Sequence, residues 1–191
     1  SICTPATHHV TLAEAALRDG KHVLVEKPMG GDVERARELV NLARKKGSVI
    51  YVGFIERFNP AVRAMRELVV EGRIGEPVSI SSRRVSRWPE RVTDVGVVKD
   101  MAIHDIDAFR YVTGLEFEEV FALGGSVVHT HEDHVQALAK MDKGVAASIE
   151  ANWLTPRKVR KLTLTGTEGI ARLDYISQEV ILAVSYTHLR A

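Results

Sequence analysis

Lys27 closes an apolar run, Val23-Leu24-Val25-Glu26-Lys27-Pro28, and Asp100 and His104 stand four residues apart in a segment with helical character. A run of β-formers just after Gly20 reads as a buried strand, and open α/β sheets bind ligands at the carboxyl ends of their strands. Lys27 is then either a site residue or, with Glu26, a solvated exit from the strand. On a helix, a four-residue step brings two Cβ atoms within about 5–6 Å on one face. A carboxylate beside an imidazole fixes its tautomer and raises its basicity, which suits His104 to taking a proton near neutral pH. The same spacing also makes an ordinary ion pair at a helix start, where Asp100 complements the dipole. Asp105 and Asp107 read as solvated positions.

Other clusters carry less. His129, His131, Glu132, Asp133 and His134 lie together, but no second set of ligands has the spacing of a zinc site, so a polar hairpin connection is expected and no metal. Arg83, Arg84, Arg87 and Arg91 around Trp88-Pro89 either bind a phosphorylated ligand or line a loop. Cys3, the single cysteine, reads as a buried structural thiol rather than a nucleophile.

The elements that must position these residues come in two groups. A strand tail at Ser1 to Pro5 leads into a helix over about 7–19, a strand over 23–26, a helix over 33–46 with Asp32 as N-cap and Gly47 as stop, and a strand over 49–54. Strand and helix alternating through short connections make a parallel sheet with helical crossovers. Beyond Phe54 the pattern changes. Asn59 and Pro60 open a helix that ends before Gly72, a strand starts at Pro77, and a helix runs over 100–113 up to Gly114. Strands follow over about 116–128, 134–141, 145–153, 159–165 and 170–175, with turns at Asp142-Lys143-Gly144 and Gly166-Thr167-Glu168-Gly169 that favour antiparallel neighbours. The expected fold is therefore α/β: the C-terminal half of a Rossmann-type unit over 1–54, then an α+β domain with a largely antiparallel open sheet over 55–184. Residues 185–191 break the pattern and read as a tail.

Composition narrows the function classes. With 26 Lys and Arg against 25 Asp and Glu in 191 residues, the chain has no electrostatic footprint for nucleic acid or an anionic membrane. No apolar run approaches the roughly 20 residues that span a bilayer, and no leader-like segment opens the sequence. The expectation is a soluble, cytoplasmic protein acting on small molecules.

Four segments in order, Thr4-Pro5-Ala6-Thr7-His8-His9, Glu26-Lys27-Pro28, Gly53-Phe54-Ile55-Glu56-Arg57-Phe58-Asn59-Pro60 and Asp100-Met101-Ala102-Ile103-His104-Asp105-Ile106-Asp107, resemble the Gfo/Idh/MocA oxidoreductases. The resemblance implies an NAD- or NADP-dependent dehydrogenase of sugars, sugar nucleotides or cyclitols, with a Rossmann domain and a second domain whose open sheet meets substrate and another subunit. It implies that Lys27 contacts substrate and nicotinamide, that His104 is the acid/base and that Asp100 is its partner carboxylate. Thr4, Pro5, His9, Glu26 and Arg57 fall on its cofactor side, and Asn59 and Arg84 on its substrate side. The run through Arg84, Trp88-Pro89-Glu90-Arg91 and Val98-Lys99-Asp100 looks most like the branch that oxidises UDP-N-acetylglucosamine at C3. An inositol or free-sugar dehydrogenase, or a non-catalytic binding protein on the same fold, is the alternative.

One departure stands out. The Gly-rich phosphate loop of a dinucleotide site and its ribose-reading acid are missing, since Gly30-Gly31 and Gly124-Gly125 have the wrong spacing. The sequence is expected to be a fragment, inactive and a poor binder of dinucleotide by itself, with apolar sheet surface exposed. NAD and NADP are not distinguished.

Overall fold

The structure, a computed structural model, describes residues 1–89 and 95–184. The expected tail over 185–191, and the expectations for Glu90 and Arg91, lie outside the described residues.

The first group of elements is α1 (Ala6–Arg18), β1 (Val23–Val25), α2 (Val33–Lys46) and β2 (Ile50–Val52). β1 and β2 pair in parallel, Val23 facing Ile50 and Val25 facing Val52, and Ile2 bridges Val25 in parallel from the other side. The strand tail inferred at the start of the sequence is thus a neighbour of β1. α2 has the ends its sequence dictates: the Asp32 carboxylate accepts the Arg35 N–H at 2.9 Å, and Gly47 adopts φ +63° to close the helix. Ala13 and Leu17 of α1 and Leu39 and Ala43 of α2 pack with Val23 and Val25 in one small core.

A 3-10 turn (Ile55–Phe58) leads to α3 (Pro60–Val70), then β3 (Pro77–Arg87) and, after a π turn over Val98–Ala102, α4 (Ile103–Thr113). Asn59 caps α3 through a 3.1 Å bond from the Ala61 N–H. The chain then forms β4 (Phe117–Gly125), β5 (His134–Met141), β6 (Ala146–Asn152), β7 (Leu154–Gly166), β8 (Gly169–Asp174) and β9 (Glu179–Val184). These strands and β3 make one seven-stranded sheet in the order β4-β5-β6-β3-β7-β8-β9. Only β3 and β6 run parallel. One face of the sheet meets α3 and α4 in a core that includes Val62, Met65, Ile80, Phe109, Val112, Leu162 and Leu164. The other face carries exposed Phe121, Leu123 and Leu138, each about two-thirds accessible at 65, 66 and 64%.

Three expectations shift. β7 begins at Leu154, not at 159, because the β3–β7 ladder has an irregularity between Val85 and Arg87 that accommodates Pro156 before Leu154 pairs with Arg87. β9 was absent from the sequence reading. Its turn has no Gly or Pro; the Asp174 carboxylate accepts the N–H groups of Ile176 and Ser177, and Gln178 takes φ +59°. Cys3 is exposed rather than buried.

Candidate active site

Lys27 leaves the end of β1 and reaches the π turn before α4. Its Nζ donates to the Asp100 carboxylate at 2.8 Å and to the Asp100 carbonyl at 2.7 Å. Both side chains are mostly buried, at 16 and 15% exposure, so the pair is shielded from the solvent that weakens surface ion pairs. The cation therefore stands at the strand end, fixed by a segment 73 residues away.

Asp100 does not orient His104. The four-residue step between them crosses a π turn, where the ladder runs i to i+5 and the α-helical side-chain alignment no longer applies. Lys27 takes the carboxylate instead. His104 Nδ1 is buried with no hydrogen-bond partner, a state that calls for a ligand or a functional reason. Burial, followed by the positive charges of Arg84, Lys27 and Arg160, lowers the His104 pKa from 6.5 to about 2. The imidazole is neutral throughout the ordinary pH range.

Several residues read as ligand contacts are structural. Arg84 is 1% exposed, its guanidinium forked onto Asp105 at 2.9 and 3.0 Å, bonded to Glu56 at 3.0 Å, and stacked 4.5 Å over the Tyr175 ring. Burial opposes its charge, but Asp105 chiefly, with Tyr175 and Glu56, more than compensates and raises its proton affinity. At 1% exposure and bonded to two carboxylates, Arg84 is held inside the scaffold. Asp105 and Asp107 are buried, not solvated. Asp107 holds Arg57 through bonds of 2.8 and 2.6 Å, which engages the fork expected to meet the cofactor. Asn59 caps α3 and donates to the Tyr175 carbonyl at 3.2 Å.

His9 is also a strut. Its Nδ1 lies 2.7 Å from the Pro28 carbonyl and its Nε2 2.8 Å from that of Thr4, which ties the Lys27 segment to the end of the first strand. Thr4 and Pro5 are exposed there and remain accessible to a ligand. Glu26 lies across Gly53, where an added Cβ would stand 3.1 Å from its carboxylate, so this glycine makes room for the acid. Among the described residues no group of three or more His, Cys, Asp or Glu is arranged to hold a metal. The acid of the His129–His134 cluster does other work. Asp133 accepts the N–H groups of Val127, Val128 and His129 and contacts the His134 ring; burial opposes its charge, but these bonds lower its pKa. Of the four arginines read together, Arg83 pairs with Glu150 at 2.8 Å on the open face.

One residue escaped the sequence reading. Arg160 stands opposite Arg84 in the β3–β7 ladder, on the face that Leu162 and Leu164 bury against the helices. Its charge is felt at His104. The signal was the strand period, which puts 158, 160, 162 and 164 on one side.

A two-layer fold with a lysine–aspartate pair and an uncharged histidine between its sheets defines a class. Residues 1–54 match the oxidoreductase family with an NAD-binding Rossmann fold, and residues 62–172 match the GFO/IDH/MocA C-terminal domain. The chain belongs to the GFO/IDH/MocA oxidoreductases. UDP-N-acetylglucosamine 3-dehydrogenase of Acidithiobacillus ferrooxidans is 29% identical over 177 residues, 93% of this chain and 55% of that protein. Its solved structure superimposes with a TM-score of 0.87 at 28% identity, covering 96% of this chain and 60% of that one. Inositol 2-dehydrogenase of Rhizobium meliloti is 37% identical over 131 residues, 66% of this chain and 40% of that protein. Levoglucosan dehydrogenase in complex with NADH and levoglucosan gives a TM-score of 0.89 at 26% identity, over 98% of this chain and 57% of that one. The chain spans about half the length of the curated relatives it matches.

The residues present fit the nicotinamide end of a dinucleotide. Accessible Thr4, the Lys27 ammonium and the unpartnered Nδ1 of His104 are polar groups that suit a nicotinamide ring and a carbinol, and exposed Pro5 offers apolar surface beside them. The pyrophosphate end calls for a Gly-x-Gly-x-x-Gly turn, and this sequence has none.

Proposed function

We propose that the complete protein is an NAD(P)-dependent dehydrogenase that oxidises a secondary alcohol of a sugar or sugar nucleotide, with UDP-N-acetylglucosamine oxidised at C3 as the first candidate. Residues 1–54 serve the cofactor, and residues 55–184 serve substrate and a second copy of the chain through the open sheet. The cytoplasm is its compartment. The observation that carries the reading is the Lys27–Asp100 pair beside a histidine with a free buried nitrogen.

Such a site suits alcohol oxidation. Nicotinamide, when bound, accepts the hydride. Lys27 supplies positive charge next to the oxygen as it gains alkoxide character. Asp100 holds that ammonium in place and prevents it from swinging to solvent. His104, uncharged and with an unpartnered Nδ1, accepts a hydrogen bond from the carbinol; so weak a base takes the proton only as hydride leaves and the hydroxyl becomes acidic. A second reading, an inositol dehydrogenase, is favoured by the 37% identity to inositol 2-dehydrogenase.

Following absorbance at 340 nm with UDP-N-acetylglucosamine, myo-inositol and glucose, each with NAD and NADP, tests the reading on the full-length protein. NAD(P)H formation with UDP-N-acetylglucosamine is expected; formation with myo-inositol alone supports the second reading, and none with any sugar rejects the proposal. The 191-residue chain, lacking a Gly-rich phosphate loop, is expected to bind NADH more weakly than micromolar. Micromolar binding in a fluorescence titration contradicts this.

A further inference from the structure

Arg160 and Lys158 sit on the same side of β7, two residues apart in a strand whose side chains alternate. Arg160 on that side is within electrostatic reach of His104 and Asp100. Arg160 lies opposite Arg84 in the ladder, and like charges directly across two strands repel. Arg84 answers the repulsion with Asp105 and Glu56; these acids and Asp100 act on Arg160 only through space, without a salt bridge. Among the described residues no carboxylate pairs with Arg160 or Lys158, and the Arg160 Nε is buried without a hydrogen-bond partner. Both cations are disfavoured where they stand: Arg160 by burial and then by Arg84, Lys158 by Arg160 and then by burial. On the opposite face of β7, Lys161 pairs with Asp174 at 3.9 Å. A half-buried arginine with an unpartnered Nε, felt at His104 and flanked by an exposed lysine, makes a receptor for an anion.

We propose that Arg160, with Lys158, binds an anionic group of the substrate, a phosphate or a carboxylate carried near the reacting carbinol. The inference rests on the dehydrogenase reading and sharpens it, because a neutral cyclitol or free sugar leaves both cations uncompensated. A planar guanidinium meets either oxyanion with two parallel bonds, and the ammonium of Lys158 adds a point charge. The anion also offsets the Arg160 charge felt by His104.

Calorimetric titration of the full-length protein with UDP, glucuronate and myo-inositol tests the proposal without turnover. Wild-type protein is expected to bind one of the two anions, UDP marking a phosphate-bearing substrate and glucuronate a carboxylate-bearing one. Arg160→Gln should weaken that binding by about tenfold or more, with Arg160→Lys retaining part of it and Lys158→Gln giving a smaller loss. Myo-inositol affinity should be unchanged in all three, and the Tm of Arg160→Gln equal to or above that of wild type. Should Arg160→Gln fail to fold, Arg160→Lys and Lys158→Gln carry the comparison. Binding of neither anion by wild type, wild-type anion affinity in the variants, or an equal loss for myo-inositol overturns the proposal. Arg160-dependent anion binding in a protein that forms no NAD(P)H with any substrate keeps the anion site and removes the dehydrogenase reading.

Discussion

Replacing His104 by glutamine in the full-length protein lowers kcat by about 10²-fold or more, the usual loss when a general base is removed. Glutamine keeps a polar side chain in the pocket but cannot take a proton, so KM should change little while kcat falls. The same residue sets an unusual pH signature. Burial, then Arg84, Lys27 and Arg160, bring the His104 pKa to about 2, so the free enzyme holds it neutral from mildly acidic to alkaline pH. The profile of kcat/KM should therefore lack an acid limb near 6.5, where an unperturbed histidine would give one. A limb at that pH that disappears in His104→Gln overturns this assignment of the resting state.

Stability provides an independent check on the same group. The folded pKa of His104 is depressed below its unfolded value, so the unfolded state binds the proton more readily. Its contribution is present above about pH 6.5 and is lost as pH falls below that value toward 2, with a slope of at most about 1.4 kcal/mol per pH unit. His104→Gln should accordingly flatten the acid side of the stability curve measured by urea unfolding between pH 7 and 4. Equal slopes in the two proteins place the imidazole in a wetter setting than its buried Nδ1 indicates.

Lys27, Asp100 and His104 were legible because each stands at a recognisable place: a strand end, and a helix start with a four-residue step. The pairing among them was not. Helical spacing marries Asp100 to His104, but a lysine arriving from a strand 73 residues away forms shorter, charge-assisted bonds, and no local pattern encodes that competition. Helix boundaries with side-chain caps came through well, since Asp32, Gly47 and Asn59 act within a turn of themselves. β9 did not, because its turn is built by a local Asp174 interaction and a positive φ at Gln178 rather than by Gly or Pro. Scaffold roles were also hard to read from the motifs. Arg57, Asn59 and Arg84 lie close to the chemistry in sequence or in space, yet each spends its hydrogen bonds on the scaffold. Arg160 was hidden in the opposite way: Arg157-Lys158-Val159-Arg160-Lys161 looks like a solvated charged run, and only the period-two alignment with Leu162 and Leu164 turns Arg160 inward.

Arg84→Met destabilises the protein by about 3–5 kcal/mol at pH 7, because it leaves two buried carboxylates without their cation. Asp105 is fully buried and Glu56 nearly so, and neither has another cation at salt-bridge distance among the described residues. At the roughly 2–4 °C per kcal/mol expected for a protein of this size, Tm falls by about 6–20 °C. The loss should depend on pH with a definite sign. Deprived of Arg84, a buried carboxylate is costly while charged, and protonation at low pH relieves that cost. The difference in unfolding free energy between wild type and Arg84→Met should thus shrink as pH is lowered from 7 toward 4. Adding Asp105→Leu and Glu56→Gln to Arg84→Met removes the stranded charges and should recover part of the loss. A loss that does not change with pH, or that the triple variant does not reduce, shows that Arg84 stabilises through its packing on Tyr175 rather than through its charge. The site's electrostatics depend on the same distinction. Arg84 is the first charge after burial to depress the His104 pKa, ahead of Lys27 and Arg160, so its removal should also make His104 easier to protonate.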